Sequence, residues 1–274
     1  MPTSGRKATL NDTDGAVYPI TSTECVVDTD GKTLHDLLNA LISGNAGSHN
    51  GIYRGKNLGT EVTTKQWEAI SSGTFQDLYI GDYWTIGDVN YRIAAFDYYY
   101  NTGDTNCTAH HVVIVPDTCL YSAHMNASNT TAGAYKGSAM YTTNLAQAKT
   151  TIQSAFSGHV LSHRIYINKE VSGGKASTGE WSDSVVDLMN EQMVYGSGVY
   201  SPVSDASSLP KNYRVEKTQL PLFALEPSRI CNRTNWWLRD VIGSTIFANV
   251  HANGGADASN ASNFYGVRPA FCIC

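Results

Sequence analysis

Histidines and cysteines are the residues of this sequence that could surround a metal ion or supply a nucleophile. His110 and His111 are adjacent at the start of an apolar run that predicts a buried strand over 111–116. Because neighbouring side chains on a strand point to opposite faces, these two do not bind one ion together. Cys272 and Cys274 form a C-x-C pair that could hold a metal or act in redox chemistry, but strand alternation favours one inward and one outward residue.

The other histidines and the common catalytic motifs indicate no active site. His159 and His163 flank Leu161 in a segment that looks extended, and His124 is isolated. The sequence contains no G-x-S-x-G elbow, no phosphate-binding loop and no G-x-G-x-x-G motif. We therefore expect a protein that is not an enzyme and that needs no cofactor.

Composition indicates a surface that is polar but nearly neutral. The 274 residues include 19 Lys and Arg against 24 Asp and Glu, a net charge of −5, and only 16% are charged. A mildly acidic chain without a basic run is not expected to bind nucleic acid. The sequence also lacks an apolar run long enough for membrane insertion, and its start lacks the apolar core of a secretory signal, so we expect synthesis in the cytoplasm.

The N-terminal fifty residues differ from the rest of the chain. Alternation over 17–27 predicts a short strand, and the composition of 43–51 predicts a linker. Between them, apolar residues recur at helical spacing with little nearby to cover them, which favours self-association. We expect residues 1–50 to be an oligomerisation segment and 51–274 to be the main domain. The apolar stripe consists of Leu34, Leu37, Leu38, Leu41 and Ile42.

Two types of periodicity alternate along the main domain and predict an α+β fold. Helical spacing predicts helices over 64–71, 143–156 and 182–195, and Gly87-Asp88 predicts the turn of a hairpin within 82–100. Further strands are expected over 111–116, 236–241, 245–250 and 265–274.

The window 240–265 has an unusual composition. It contains no Lys, Glu, Gln, Met or Trp, although these types make up 34 of the 274 residues. Chance gives such a window about one time in thirty. Small polar residues mixed with single aromatic ones are typical of adaptable binding loops, although an ordinary surface loop has a similar composition.

The C-terminal frame W-W-L-R…F-A-N-V…N-G…A-S-N…G-V-R-P-A-F resembles the variable region of proteins diversified by retroelements, the major-tropism-determinant-like proteins of phages and of prophages in gut bacteria. The resemblance implies a C-type-lectin-like fold, related to that of formylglycine-generating enzymes, and a variable region at about 235–274. It also implies mutation of Asn codons at adenines, which cannot produce the five missing residue types. The hairpin, the strand and the two later helices of the main domain resemble lectin-fold tail proteins, and the N-terminal segment resembles the trimerising start of a tail fibre.

The resemblance divides the C-terminal segment into fixed and displayed positions. The fixed frame would be Trp236, Trp237, Leu238, Arg239, Phe247, Asn249, Val250, Gly254, Gly266, Val267, Arg268, Pro269 and Phe271. The displayed, ligand-binding set would be Asp240, Ile242, Gly243, Ser244, Ile246, His251, Asn253, Gly255, Asp257, Ser259, Asn260, Ser262, Asn263, Phe264 and Tyr265. Large side chains dominate binding energy, so the expected anchors are Tyr265, Phe264, His251 and Ile242.

This resemblance implies a receptor-binding protein on a phage tail. Its expected partners are a bacterial surface protein or glycan, other copies of itself in a homotrimer, and other tail proteins that hold the N-terminal segment. A structural tail or baseplate protein that binds another virion protein is the alternative, and a degenerate formylglycine-type enzyme is a third. The sugar-binding motifs of calcium-dependent lectins do not occur, since Glu226-Pro227 is followed by Ser228. The resemblance permits a structural calcium ion but assigns it no site.

Overall fold

The computed structural model describes residues 30–34, 36, 37, 46–201 and 215–274. The chain divides into two compact units, Met1–Ile42 and Ser43–Cys274. In the first unit the side chain of Thr33 accepts a hydrogen bond from the Asp36 backbone nitrogen at 3.0 Å, and Asp36 Oδ2 accepts one from the Thr33 nitrogen at 3.0 Å. This reciprocal capping begins the predicted leucine-rich helix. The rest of that helix and the predicted strand over 17–27 lie outside the described residues.

The second unit is a mixed α+β domain dominated by sheets. The structure describes strands β1 (Tyr83–Ile86), β2 (Val89–Phe96), β3 (Val112–Pro116), β4 (Tyr121–Ala123), β5 (His163–Ser172), β6 (Lys175–Ser184), β7 (Val186–Leu188), β8 (Trp236–Val241), β9 (Ile246–Val250), β10 (Ala256–Asn260), β11 (Tyr265–Val267) and β12 (Pro269–Ile273).

Helices in this unit are short. They are α1 (Ala46–His49), α2 (Thr64–Ser71), α3 (Ala146–Ala155), α4 (Glu191–Tyr195) and α5 (Pro221–Leu225), with a π-helical turn at Met140–Asn144 and a 3-10 turn at Pro227–Ile230. None of the helices in the described parts of the chain is long and apolar enough to cross a membrane.

The strands form two five-stranded sheets and a separate two-stranded ribbon of β5 and β6. The first sheet has the order β1-β2-β3-β12-β7, so strand β12 lies between β3 and β7. All residues of β3 are buried. The second sheet has the order β10-β9-β8-β11-β4 and contains the segment that the sequence singles out.

Several elements confirm the sequence-based prediction. The hairpin turns at Gly87, whose φ of 60° lies in the left-handed region that favours glycine. Helix α2 begins after Thr63, which forms a capping box with Gln66. Strand β3, helix α3 and strands β8, β9, β11 and β12 also lie within the predicted ranges.

The prediction of a helix over 182–195 is wrong. Apolar residues recur there at helical spacing, but Val186–Leu188 is a strand that pairs with β12, and Asn190 caps a helix of only five residues. The long β5–β6 hairpin was missed. Its signal is Gly173-Gly174, whose φ angles of 59° and 77° match a tight hairpin turn.

The predicted linker over 43–51 is also wrong for its second half. Residues Ala46–His49 form helix α1, and the His49 ring is buried, with Nδ1 2.7 Å from the Leu78 carbonyl oxygen. The ring lies 5.2 Å from that of Phe96. A polar, glycine-rich composition does not show whether one of the residues is buried. Here the His49 side chain packs in the core, so this part of the segment is not a linker.

The second sheet holds the two ends of segment 236–266 together. Strand β11 runs parallel to β8 with Gly266 beside Trp236, and the Gly266 nitrogen donates a hydrogen bond of 2.8 Å to the Asn235 carbonyl oxygen. A Cβ at position 266 would lie 2.8 Å from the Cβ of Cys119 and 3.2 Å from the Asn235 oxygen. Only glycine fits this close approach.

Substitution Gly266→Ala is expected to lower the free energy of unfolding by about 2–3 kcal/mol, because the added methyl group overpacks the contact. Gly255→Ala in the exposed turn is the matched control and should cost less than about 0.5 kcal/mol. Urea unfolding measures both. Adding Cys119→Ala to Gly266→Ala should recover part of the loss, and equal costs at the two glycines would contradict the close-packed base.

Candidate ligand-binding surface

The residues that the resemblance assigns to a fixed frame are almost all buried. Twelve of the thirteen have buried side chains or backbones, and Gly254 is half-buried. Trp236 and Trp237 are completely buried, and the Trp237 indole nitrogen donates a hydrogen bond of 2.9 Å to the Ala123 carbonyl oxygen. The frame therefore lies in the protein interior, in the second sheet and in strand β12 of the first sheet.

Both arginines of the frame are buried and form contacts within the protein. Arg239 forms a buried ion pair with Glu216 at 2.7 Å; burial alone would lower the pKa of Arg239, but attraction to this carboxylate outweighs it and raises the pKa. Arg268 is 1% exposed and donates hydrogen bonds to the carbonyl oxygens of Pro116 and Arg229 at 2.8 and 2.9 Å. Its guanidinium lies 5.1 Å from the centre of the Trp236 ring, a cation–π distance. Burial lowers the pKa of Arg268 to about 10. Both side chains therefore serve the scaffold.

None of the fifteen residues assigned to the displayed set is buried. Those that are exposed are Ser244, His251, Asn253, Gly255, Asn260, Ser262 and Phe264. Those that are half-buried are Asp240, Ile242, Gly243, Ile246, Asp257, Ser259, Asn263 and Tyr265.

Tyr265 brings three of the displayed positions together. Its ring packs on that of Trp237 at 4.9 Å, and its hydroxyl lies 3.2 Å from Ser259 Oγ and accepts a hydrogen bond of 3.0 Å from Asn263 Nδ2. Hydrogen bonds from Ser259 and its neighbours lower the pKa of this phenol. The ring of Tyr265 therefore packs on the buried frame, while its hydroxyl group holds the side chains of Ser259 and Asn263 in place at the surface.

Most of the other displayed residues lie near the two ends of the β9–β10 ladder, while Asp240 is in β8 and Asp257 is within β10. Asn260 pairs with Ile246 at one end, next to the turn with Gly243 and Ser244, whereas Ala256 pairs with Val250 at the other end. The second turn holds His251, Asn253 and Gly255, with a hydrogen bond of 2.8 Å from the His251 nitrogen to the Gly255 oxygen. Five strand residues separate the turns by about 15 Å, so the displayed set is an elongated strip.

Three residues at the first end were missed by sequence reasoning. The side chain of Ser262 donates to Asn129 Oδ1 at 2.7 Å, and Thr131 donates from its backbone to Ser244 and from its hydroxyl to Gly243 at 3.0 and 2.8 Å. Gly174, at the tip of the β5–β6 hairpin, also approaches Ser244. No local pattern marks these residues, because only the tertiary fold brings them to the segment.

Asp240 has an internal role that the sequence did not indicate. Its carboxylate accepts a hydrogen bond of 2.7 Å from the backbone nitrogen of Glu191, the first residue of α4. The Glu191 carboxylate is fully buried and accepts hydrogen bonds from the backbone nitrogens of Val199 and Ser201 at 2.9 and 2.8 Å. Burial and the nearby Glu191 raise the pKa of Asp240 to about 7. The expectation that Asp240 faces a ligand is therefore corrected: its carboxylate holds α4.

Phe264 and Tyr265 are adjacent but point in different directions. Phe264 is 68% exposed, the highest value among the large apolar side chains of the described residues. It borders a cleft of about 310 Å³ beside strand β4. Of the four expected anchors, Phe264 and His251 are exposed, while Ile242 and Tyr265 are half-buried against the core.

The described residues do not gather three His, Cys, Asp or Glu side chains in a group that could hold a metal ion. His111 is buried, and burial lowers its pKa, while its neighbour His110 is half-buried and its Nδ1 lies 2.7 Å from Asp97 Oδ2. Burial raises the pKa of the Cys119 thiol to about 11 and that of Cys272 well above its usual value. These two thiols are protonated at neutral pH.

Comparison with known proteins adds one finding. Residues 110–274, more than half of the chain, match the family model described as a domain of unknown function, DUF6273. The chain belongs to the DUF6273 family. No curated protein and no solved structure matches it. The DUF6273 domain begins at β3 and includes the whole displayed segment, but the β1–β2 hairpin of the first sheet precedes it.

Asp240→Asn is expected to stabilise the protein above pH 7. Because the pKa of Asp240 is higher in the folded state than in the unfolded chain, the folded state binds an additional proton between about pH 4 and pH 7, and stability falls as the pH rises through this range. The amide keeps an acceptor for the Glu191 nitrogen. We expect a gain of about 1–2 kcal/mol at pH 8 that shrinks by pH 5, allowing for partial solvent screening.

Urea unfolding at pH 5 and pH 8 provides the measurement. Asn260→Ala, an exposed and uncharged position of the same segment, is the matched control and should have the same effect at both pH values. A pH-independent effect of Asp240→Asn would show that the Asp240–Glu191 pair does not control stability.

Proposed function

We propose that this protein is a receptor-binding protein of a phage tail, which attaches to a bacterial surface component through the elongated strip formed by the displayed residues of 240–265. It acts by binding and not by catalysis. The observation that carries the proposal is the division of one short segment into a buried frame and an unburied set at the positions that the resemblance assigns.

The chemistry of the strip supports recognition through short polar groups and a few aromatic rings. Its exposed members offer hydroxyl, amide and imidazole groups, together with the ring of Phe264. With the Asp240 carboxylate turned toward α4, Asp257 is the remaining carboxylate of the displayed set. Short side chains lose little rotamer freedom on binding, and rigid aromatic rings contribute most of the contact energy.

The frame supports a segment that tolerates substitution. Both ends of the segment enter buried strands, and the Asn235–Gly266 hydrogen bond closes them. Changes at exposed turn positions therefore leave the packed base intact. We propose that the scaffold is C-type-lectin-like, and that copies of it assemble as a homotrimer held to the virion through residues 1–50.

Adsorption to bacteria tests the binding surface. A combined variant, His251→Ala with Asn253→Ala, Asn260→Ala and Phe264→Ala, is expected to bind cells of a susceptible strain at least tenfold more weakly than the natural chain. Gln153→Ala, on the exposed side of α3, is the matched control and should bind normally. Thermal melts should show that both variants remain folded. A combined variant that adsorbs normally would remove this strip from the receptor site.

Salt and chelator arms of the same experiment separate the modes of binding. Because the strip is nearly neutral, adsorption should change less than about twofold between 50 and 150 mM salt. Loss of adsorption in EDTA would indicate an ion-dependent lectin. If no strain binds the natural chain while a purified tail or baseplate protein does, the structural alternative replaces the receptor-binding function.

The assembly is tested by shortening the chain. A protein that begins at Ser43, the start of the second compact unit, is expected to sediment as a smaller species than the full chain. Equal sedimentation of the two would show that residues 1–42 do not build the oligomer. Double substitution of Leu34 and Leu37 by Ser in the full chain provides a second readout, because both side chains are exposed within the described part of the first unit.

A further inference from the structure

A cleft of about 310 Å³ lies beside the displayed strip, between the edge strand β4 and the start of helix α3. Phe264 contributes one side of this cleft, and the other lining residues lie outside segment 240–265. Its volume is near the lower end of the range of about 300–1,000 Å³ that small-molecule sites occupy. The cleft is therefore large enough for a ligand of one or two rings.

Hydrogen bonds between the two walls hold the cleft open in a fixed shape. The Tyr121 hydroxyl donates a hydrogen bond of 2.6 Å to the Asn144 carbonyl oxygen, and Asn144 Nδ2 donates one of 2.8 Å to the His124 carbonyl oxygen. The Ala148 nitrogen donates to the same Tyr121 hydroxyl at 3.3 Å. A ligand that enters would not have to order these walls, which reduces the entropic cost of binding.

The lining offers uncharged polar groups with free hydrogen-bonding capacity. Within the described part of the chain, the side chains of Ser122, His124 and Gln147 make no hydrogen bond. The lining includes no Asp, Glu, Lys or Arg. A charged ligand would find no opposite charge there, whereas a neutral ligand rich in hydroxyl groups would find both donors and acceptors.

Phe264 adds an apolar ring face to this polar lining. Its side chain is 68% exposed, so a ligand that covers the ring would bury apolar surface, which favours binding. The negative face of an aromatic ring attracts the partly positive C–H groups of a saturated ring that lies flat on it. A molecule with an apolar C–H face and a rim of hydroxyl groups fits both features, and a saccharide is such a molecule.

A peptide strand added to the edge of β4 fits less well. Such a strand needs a row of free backbone groups along the edge. The Ala123 carbonyl oxygen already accepts a hydrogen bond from the Trp237 indole, and the His124 carbonyl oxygen accepts one from Asn144. Strand β4 is also only three residues long.

We infer that this cleft is a binding site for a neutral saccharide, which stacks on Phe264 and hydrogen-bonds to Gln147, His124 and Ser122 without a metal ion. The inference deepens the proposed function by giving the strip an adjoining saccharide subsite, and it rests on that function only for the role of Phe264 as a displayed residue. A different residue at 264 would change the saccharide that is selected, while the other lining residues would stay the same.

Saturation-transfer NMR and calorimetric titration of the full chain test this inference. The probes are the methyl glycosides of glucose, galactose and N-acetylglucosamine, with methyl glucuronide as the acidic comparison, all in EDTA. We expect at least one neutral glycoside to bind with a Kd of about 0.1–10 mM, as small polar ligands do, and the acidic glycoside to bind at least fivefold more weakly.

Three variants locate the site. Gln147→Ala and Phe264→Ala should each weaken the neutral glycoside at least fivefold, and Phe264→Trp should retain it because the ring face is kept. Gln153→Ala, on the exposed side of helix α3 and outside the lining of the cleft, is the matched control and should bind as the natural chain does. Melting temperatures identify any variant that fails to fold, and the Trp variant then decides the result.

The outcomes of this test and of the adsorption test are separable. Cells that adsorb the protein while no neutral glycoside binds would overturn the saccharide site and leave the receptor-binding function standing. A glycoside that binds without adsorption to any strain would support the cleft and oppose the receptor function. Binding that none of the cleft variants weakens, or that a peptide matching an added strand displaces, would overturn the inference.

Discussion

The hydrogen bond between the Gly266 nitrogen and the Asn235 carbonyl oxygen is the contact on which the C-terminal part of the molecule depends. It joins the beginning of strand β8 to strand β11 and so closes a segment of thirty residues at its base. The entropic cost of closing a loop rises only slowly with the number of residues in it. The turns within the segment can therefore differ in sequence while the two tryptophans and strand β12 remain packed.

Much of the fold could be predicted from local pattern. Gly87 allows the turn of the β1–β2 hairpin, Thr63 and Gln66 cap helix α2, and the apolar run of β3 is buried on both sides. Segment 182–195 could not be predicted in this way, because Val186–Leu188 has helical spacing and becomes a strand only through its pairing with β12. Tertiary pairing overrides local periodicity where a short apolar run completes a sheet.

Prediction of the candidate surface is limited in the same way, because contacts between distant parts of the chain leave no local pattern in the sequence. The resemblance divided the segment into frame and displayed positions and named both Phe264 and Tyr265 as anchors; the structure packs Tyr265 on Trp237 and leaves Phe264 exposed. Sequence reasoning could not find the inward role of Asp240, because Glu191 is distant in sequence and its backbone nitrogen is brought to the segment only by the fold. The cleft beside β4 was equally hidden, since its walls come from three separate parts of the chain.

The position of β3 between β2 and β12 has a consequence for how this family is delimited. The region of family similarity begins at residue 110, so a protein cut at that boundary would lose β1 and β2. Strand β3, which reads Val-Val-Ile-Val-Pro and is buried throughout, would then become a bare sheet edge. Such an apolar edge recruits other strands and leads to aggregation. The unit that folds is thus longer than the unit that sequence comparison detects.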